Sequence, residues 1–354
     1  MICSGKEPGK DKTMLNTVYR LVRPRKFEIE FENIELTEDA VIVRPTHLSI
    51  CNADQRYYQG KRDPKVLEKK LPMALIHEAI GEVVYDSKGE FEPGERVVMI
   101  PNTPYEEDEV IAENYLRSSK FRASGFDGFM QDNVGMRRDR LVRVPENIDP
   151  RVAAFIEIIS VSYHTVQRFL RIGHKRKDSV AIWGDGNLAF IVSLILRHEL
   201  PDAKLYIMGI DEDKLAGFTF ADEVYHVNKI PDDLTFDHAF ECVGGQGCEM
   251  ADNQIIDYIR PEGTIALMGV SENRVPINTR MVLEKGLRIF GSSRSGREDF
   301  INTVQFLSES EKNVQLLTGL VDSVIEVQNI DDMNKAFESD IRKAGGKTIM
   351  LWNV

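Results

Sequence analysis

The chain has 354 residues, room for about two domains of ordinary size. Its 42% hydrophobic and 29% charged residues describe a folded protein with a sizeable core rather than a disordered or fibrous chain. A net charge of −12 argues against nucleic acid as the main partner, because phosphate backbones bind cationic faces, and leaves a phosphate only a local basic pocket.

Residues 1–13, with Gly5, Pro8, Gly9 and three lysines, read as a flexible extension, polar rather than a signal sequence. No apolar run is long enough to cross a bilayer, so no membrane partner is expected. The four cysteines, Cys3, Cys51, Cys242 and Cys248, form no CxxC pair and no disulfide framework, which fits a reducing cytoplasm.

Residues 27–31 alternate apolar and acidic side chains, the period of a half-buried strand. Short β-rich runs follow at 40–44, 81–85 and 96–100, with turn residues such as Pro93-Gly94 between them. The acidic run 106–109 reads as a solvated loop. After Pro150 the pattern changes. Ser179–Trp183, Lys204–Gly209, Phe236–Glu241 and residues 264–269 are short apolar runs separated by helical stretches. That alternation predicts an α/β fold with a parallel, doubly wound sheet beside a β-rich unit. From about Val321 strand-like patterning returns and is expected to rejoin the β-rich unit. The predicted division is 14–150 with 296–354 for the β-rich domain, and 151–295 for the parallel-sheet domain.

Within the second domain, Gly184-Asp185-Gly186-Asn187-Leu188-Ala189 places GxGxxA between a strand and an apolar helix. Gly184 permits a tight turn and Gly186 lets the backbone approach a pyrophosphate. Ala189 is a small helix–strand contact, and the helix start at Asn187 and Leu188 offers free N–H groups to an anion. The bare motif also occurs as an ordinary turn; its strand–helix setting favours a dinucleotide. At the end of the next strand, where NAD enzymes carry a carboxylate for the ribose, stands Gly209. Glycine leaves room for a 2′-phosphate and points to NADPH, with Asp211 two residues on as an alternative ribose ligand.

Three further segments each have a bland reading alone. Cys51 is a lone cysteine, His77-Glu78 an adjacent pair, and Glu157 a carboxylate among apolar residues. In this order, ahead of a dinucleotide motif, they resemble the medium-chain zinc-dependent alcohol/polyol dehydrogenases, more closely the sorbitol-type branch. The likeness covers nearly everything after residue 14, including Phe236-Asp237-His238-Ala239-Phe240-Glu241-Cys242-Val243-Gly244 and Gly345-Gly346-Lys347. It implies a Rossmann domain plus a GroES-like catalytic domain. It also implies one catalytic zinc held by Cys51, His77 and Glu157, with Glu78 as exchangeable fourth ligand or close neighbour of the ligands, a donor set that suits zinc. Two anionic ligands already neutralise the ion, so Glu78 should step aside when substrate binds.

The sequence departs from the family at Ile76 and Asn52, where relatives carry glycine, and at Ala53, where many carry a hydroxyl that relays a proton. Residues 102–120, which hold four cysteines and a structural zinc in many relatives, contain none here. Within the family, the segment from Asn16 to Glu28 is similar to the start of the ribulose-5-phosphate reductases of teichoic-acid synthesis. That resemblance implies NADPH-linked reduction of D-ribulose 5-phosphate to D-ribitol 5-phosphate, a homo-oligomer, and a cytidylyltransferase as pathway partner. Arg56 and Arg294 are the candidate phosphate ligands, although surface or cofactor-contacting roles are equally natural for arginine. Two rivals stand beside this reading: a dehydrogenase of an unphosphorylated polyol, and a metal-free dinucleotide-binding protein.

Overall fold

The computed structural model describes residues 13–354. The expected extension lies outside the described residues except for Thr13, which opens the strand Thr13–Arg23. That strand pairs antiparallel with Lys26–Glu35 and with Met73–Ala74. The alternation at 27–31 is a strand, but not a half-buried one: Phe27 is buried, whereas Ile29 and Phe31 are 49% and 70% exposed. Lys26–Glu35 is the edge of its small sheet, and its apolar face is left to solvent.

The β-rich unit is centred on a sheet in which Ala40–Ser49 lies between Glu78–Asp86 and Lys347–Trp352. Val321–Val327 continues it beyond Lys347–Trp352, parallel to that strand, and the helix Ile330–Arg342 makes the crossover from the first to the second. The tail therefore rejoins the first sheet from Val321 onwards. The helices Arg297–Ser308 and Glu311–Thr318 bury Phe300, Val304, Leu307 and Leu317 in a core shared by Ile80, Val98 and Ile349 of this unit and by Val180, Ile182 and Phe240 of the other sheet.

That other sheet has six parallel strands in the order Glu223–His226, Lys204–Gly209, Ser179–Trp183, Phe236–Glu241, Ile259–Leu267, Arg288–Gly291. Val180, Ile182, Leu205 and Ile207 face a core that includes the helices Ile156–Ile172 and Asn187–Glu199. Ala181, Trp183, Tyr206 and Met208 face the opposite core, with the helix Cys248–Tyr258. Burial on both faces is why these strands read as continuous apolar runs rather than alternations. The two strands absent from the sequence reading, Glu223–His226 and Arg288–Gly291, are short edges with no buried residue. In chain order the sheet reads 3-2-1-4-5-6, so its direction reverses beside Ser179–Trp183. Ligands of such sheets bind outside the strand carboxyl ends at that reversal. Among the described residues, no helix is long and apolar enough to cross a membrane.

Candidate active site

A cleft of about 2090 Å³ runs between the two sheets and is lined by Cys51, His77, Glu157, Gly186, Asp211 and Arg294. Cys51 is the N-cap of the helix Asn52–Tyr58, and its N–H donates to Asp54 Oδ2 at 3.1 Å. The other Asp54 oxygen accepts the Ile76 N–H at 3.0 Å and lies 3.6 Å from His77 Nδ1. One buried carboxylate thus ties together the two segments that carry the candidate ligands. Ile76 holds φ at 71°, in the left-handed region that favours glycine. A β-branched residue is strained there, and the strain is held by the Asp54 bond on its N–H and by Phe129 N–H on its carbonyl. The turn is retained without the glycine, and it aims His77 and Glu78 into the cleft.

Ligand atoms of Cys51, His77 and Glu78 lie within 4.8 Å of one another. His77 Nδ1 and Glu78 Oε1 are buried without hydrogen-bond partners. A thiol, an imidazole and a carboxylate converging with unsatisfied atoms fit a zinc ion. Glu157, in the first turn of Ile156–Ile172, falls outside that close set but borders it. Burial pushes its carboxyl up to about 7, with His77 pulling down and Glu78 pushing up. Burial also raises the Cys51 thiol, which His77 partly offsets. Although burial opposes it, the Asp54 and Cys51 charges hold His77 well above its ordinary value. Without a cation, burial thus favours the protonated thiol and carboxyl, and a bound metal ion would reverse that preference by stabilising the anionic donors.

The sequence reading missed a partner of Glu78. Lys347 opens the strand Lys347–Trp352 and sets its ammonium 2.6 Å from Glu78 Oε2, with both side chains buried. Burial opposes that charge, but Glu78 and Cys51 raise the Lys347 pKa above its usual range. Lys347→Met should therefore destabilise the metal-stripped protein by about 3–5 kcal/mol, the cost of stranding one member of a buried pair. Zinc would replace the lost positive charge, so zinc should raise the melting temperature of the variant more than that of the wild type. Calorimetry with and without chelator measures this, and an equal zinc effect in both proteins would refute it.

Phe121 is a second residue that sequence reasoning passed over. Its ring lies 5.4 Å from the His77 ring and 4.7 Å from the Arg294 guanidinium. Arg294, also at positive φ (57°), is thereby held beside the ligand cluster; burial lowers its pKa and Glu157 raises it. Arg56 lies on the helix that follows Cys51 and forms an ion pair with Glu272. It reaches the cleft already partnered.

At the dinucleotide end, Gly184 has φ 129°, and a Cβ there would sit 3.0 Å from the Cys242 carbonyl oxygen. A Cβ on Gly186 would meet nothing within 4 Å. The packing thus requires glycine at 184, whereas the space beside Gly186, the N-cap of the helix Asn187–Glu199, is open. Gly186→Val should cost about 1 kcal/mol of stability, because valine is a poor N-cap, and raise the NADPH KM at least about tenfold, by blocking approach of the pyrophosphate. A normal KM in this variant would remove Gly186 from the cofactor site. Asn187 and Leu188 begin the helix Asn187–Glu199, Asn187 donates to the Gly346 carbonyl at 2.8 Å, and Ala189 is buried against the sheet.

Gly209 has a different cause from the one its position suggested. A Cβ there would lie 2.7 Å from Asp185 Cβ and 2.9 Å from Leu215 Cδ2. Asp185 occupies the strand end, accepting the Ile210 and Asp211 N–H groups at 2.7 and 2.9 Å. Gly209 is explained by this close approach and does not by itself report room for a 2′-phosphate. Asp211 caps the short helix Glu212–Leu215, accepting from the N–H groups of Asp213 and Lys214, so its carboxylate is engaged locally.

Residues 102–120 form a lobe with no cysteine. It is fixed through Glu113, which pairs with Arg140 at 2.8 Å and accepts the Arg297 N–H at 2.6 Å, and through Asn114, which donates to the Ser293 carbonyl.

The comparisons agree with this geometry. The alcohol dehydrogenase GroES-like domain model matches residues 37–146, and the zinc-binding dehydrogenase model matches residues 216–309. The chain is 54% identical to the ribulose-5-phosphate reductase of Bacillus spizizenii, an alignment covering 96% of this chain and 100% of that one. It is 45% identical to the ribulose-5-phosphate reductase of Streptococcus pneumoniae, over 98% and 99% of the two chains. The fold superposes on Staphylococcus aureus TarJ in complex with NADPH with a TM-score of 0.87 at 47% identity, over 96% and 99% of the chains. The chain belongs to the zinc-binding dehydrogenase family, in the group of the ribulose-5-phosphate reductases.

Proposed function

We propose that this chain reduces D-ribulose 5-phosphate to D-ribitol 5-phosphate with NADPH. The observation that carries the reading is the convergence of Cys51, His77 and Glu78 within 4.8 Å, in the cleft that also exposes Gly186. Similarity over nearly the full length to ribulose-5-phosphate reductases supports the substrate, and the Staphylococcus aureus relative solved with NADPH supports the cofactor. Cys51, His77 and Glu157 are the proposed zinc ligands, with Glu78 as exchangeable fourth donor.

When bound, zinc supplies a Lewis acid for the ketone oxygen and NADPH supplies the hydride. The chain's own work is placement. Asp54 locks the Cys51 and Ile76 backbones, so two ligand segments hold one geometry. Lys347 gives Glu78 a second partner, so Glu78 can release the ion without becoming an unpaired buried anion. Gly186 and the N–H groups at the start of Asn187–Glu199 cradle the pyrophosphate. Ala53 has no hydroxyl, so water or another group delivers the proton that completes the alcohol. Arg294, held against Phe121, and Arg56 are the proposed phosphate ligands. The product is a polyol phosphate, a fitting substrate for a cytidylyltransferase, and the reading places a homo-oligomeric enzyme in the cytoplasm.

Oxidation of NADPH and NADH by the purified protein, followed by absorbance against ketoses and their phosphates, tests the proposal. Ribulose 5-phosphate with NADPH should give the highest kcat/KM. A clear preference for an unphosphorylated ketose would move the chain to the polyol reading. No turnover together with no bound metal would make it a dinucleotide-binding protein.

A further inference from the structure

Beyond the metal cluster, the cleft holds a second group of charges. Arg56 is five residues past Cys51 on the same helix, about 7.5 Å further along at the usual helical rise. Its guanidinium pairs with Glu272, which projects from the loop after the strand Ile259–Leu267 on the opposite wall. Arg62 Nη1 stands 3.9 Å from the same Glu272 oxygen. Two guanidiniums thus share one carboxylate, and the group keeps a net positive charge. Arg62 Nε is buried without a hydrogen-bond partner, and its guanidinium is steadied over the Tyr57 ring at 4.9 Å. Burial and the neighbouring Arg62 charge together push the Arg56 pKa down, which marks two like charges confined without full compensation. Arg56, Arg62 and Glu272 all line the cleft that holds Cys51 and His77.

The mismatch is in charge and in geometry. A single carboxylate offers one negative charge to two forks, whereas a phosphate monoester offers nearly two charges and three acceptor oxygens. The arginine side chains are 24% and 25% exposed and Glu272 is 52% exposed, so the acid is the group free to leave. We propose that Arg56 and Arg62 form a two-arginine phosphate clamp and that Glu272 is its resident competitor, displaced by the phosphate of the substrate. The inference rests on the reading of the substrate as a ketose phosphate. It adds Arg62 as a specificity-determining residue and Glu272 as a built-in brake on binding. Both arginines lie in the β-rich unit and Glu272 beside the parallel sheet, so filling the clamp also breaks an ionic tie across the cleft mouth.

The test compares wild type, Arg62→Ala and Glu272→Gln as zinc-loaded, NADP-saturated holoenzymes. Inorganic phosphate binding is measured by calorimetry, with the dinucleotide sites already filled. Kinetics with ribulose 5-phosphate and ribulose are run in parallel. Glu272→Gln should bind phosphate about three- to tenfold more tightly and lower the KM for ribulose 5-phosphate by a similar factor. Arg62→Ala should weaken phosphate at least about tenfold and reduce the ratio of kcat/KM for phosphorylated over unphosphorylated sugar accordingly. Equal phosphate affinity in all three proteins would overturn the clamp, even if ribulose 5-phosphate proves the best substrate. Lowered melting temperatures with unchanged phosphate affinity would make the triad a structural strap instead. Failure of the wild type to reduce ribulose 5-phosphate, with the phosphate affinities ordered as expected, would sink the substrate reading and leave the clamp standing.

Discussion

Alanine in place of Cys51 or His77 is expected to remove zinc and reduce turnover by a factor of about 10³ or more, with the fold intact. A Lewis acid on the ketone oxygen contributes several kcal/mol of transition-state stabilisation, and each 1.36 kcal/mol is about tenfold in rate. The fold should survive because Cys51 and His77 line the cleft, while the apolar cores are built from other side chains. Elemental analysis should find about one zinc per wild-type chain, far less in the variants, and unchanged circular dichroism. Full activity after exhaustive chelation, or two tightly held ions per chain, would contradict the assignment.

The second large effect concerns the substrate's phosphate. Ribulose 5-phosphate should be reduced about 10⁴-fold more efficiently than ribulose, the order of discrimination reached when a site built around a polar group meets a substrate lacking it. Without the phosphate, Arg294 against Phe121 keeps its desolvation cost and lacks that partner, while Arg56 falls back on Glu272 alone. Arg294→Ala should shrink the ratio by lowering kcat/KM for the phosphorylated sugar. Equal efficiency on both sugars in the wild type would assign the chain to an unphosphorylated polyol.

The elements that could be read from the sequence were those whose cause is local. A strand buried on both faces leaves a continuous apolar run, which is why Ser179–Trp183 and Phe236–Glu241 were legible and the edge strand Arg288–Gly291 was not. GxGxxA was legible because a turn, a helix start and a small contact lie within six residues. What stayed hidden depends on distant parts of the chain. Lys347 meets Glu78 only because the last strand inserts beside Ala40–Ser49. Arg56 meets Glu272 only when the two walls of the cleft face each other. Gly209 shows how a local inference fails: its missing side chain is set by Asp185, a neighbour 24 positions earlier that no strand-end rule includes. Ile76 marks the opposite limit, since a residue disfavoured at φ 71° preserves a turn that its own sequence argues against.

The lobe at residues 102–120 bears on how such an enzyme meets oxidants. A lobe closed by thiolates and zinc is a target for peroxide, which oxidises the sulfurs, releases the ion and loosens the chain around it. Here Glu113 joins Arg140 and the Arg297 N–H, and charge-assisted hydrogen bonds have no oxidation state to lose. Of the cysteines in the described residues, Cys242 and Cys248 are buried, and burial raises both thiols. Burial raises the Cys51 thiol as well, but of these three it is the one not fully buried, which makes its sulfur the most accessible. Among the described thiols peroxide should act first at that sulfur while the architecture persists, and bound zinc, by occupying it, should act as its shield.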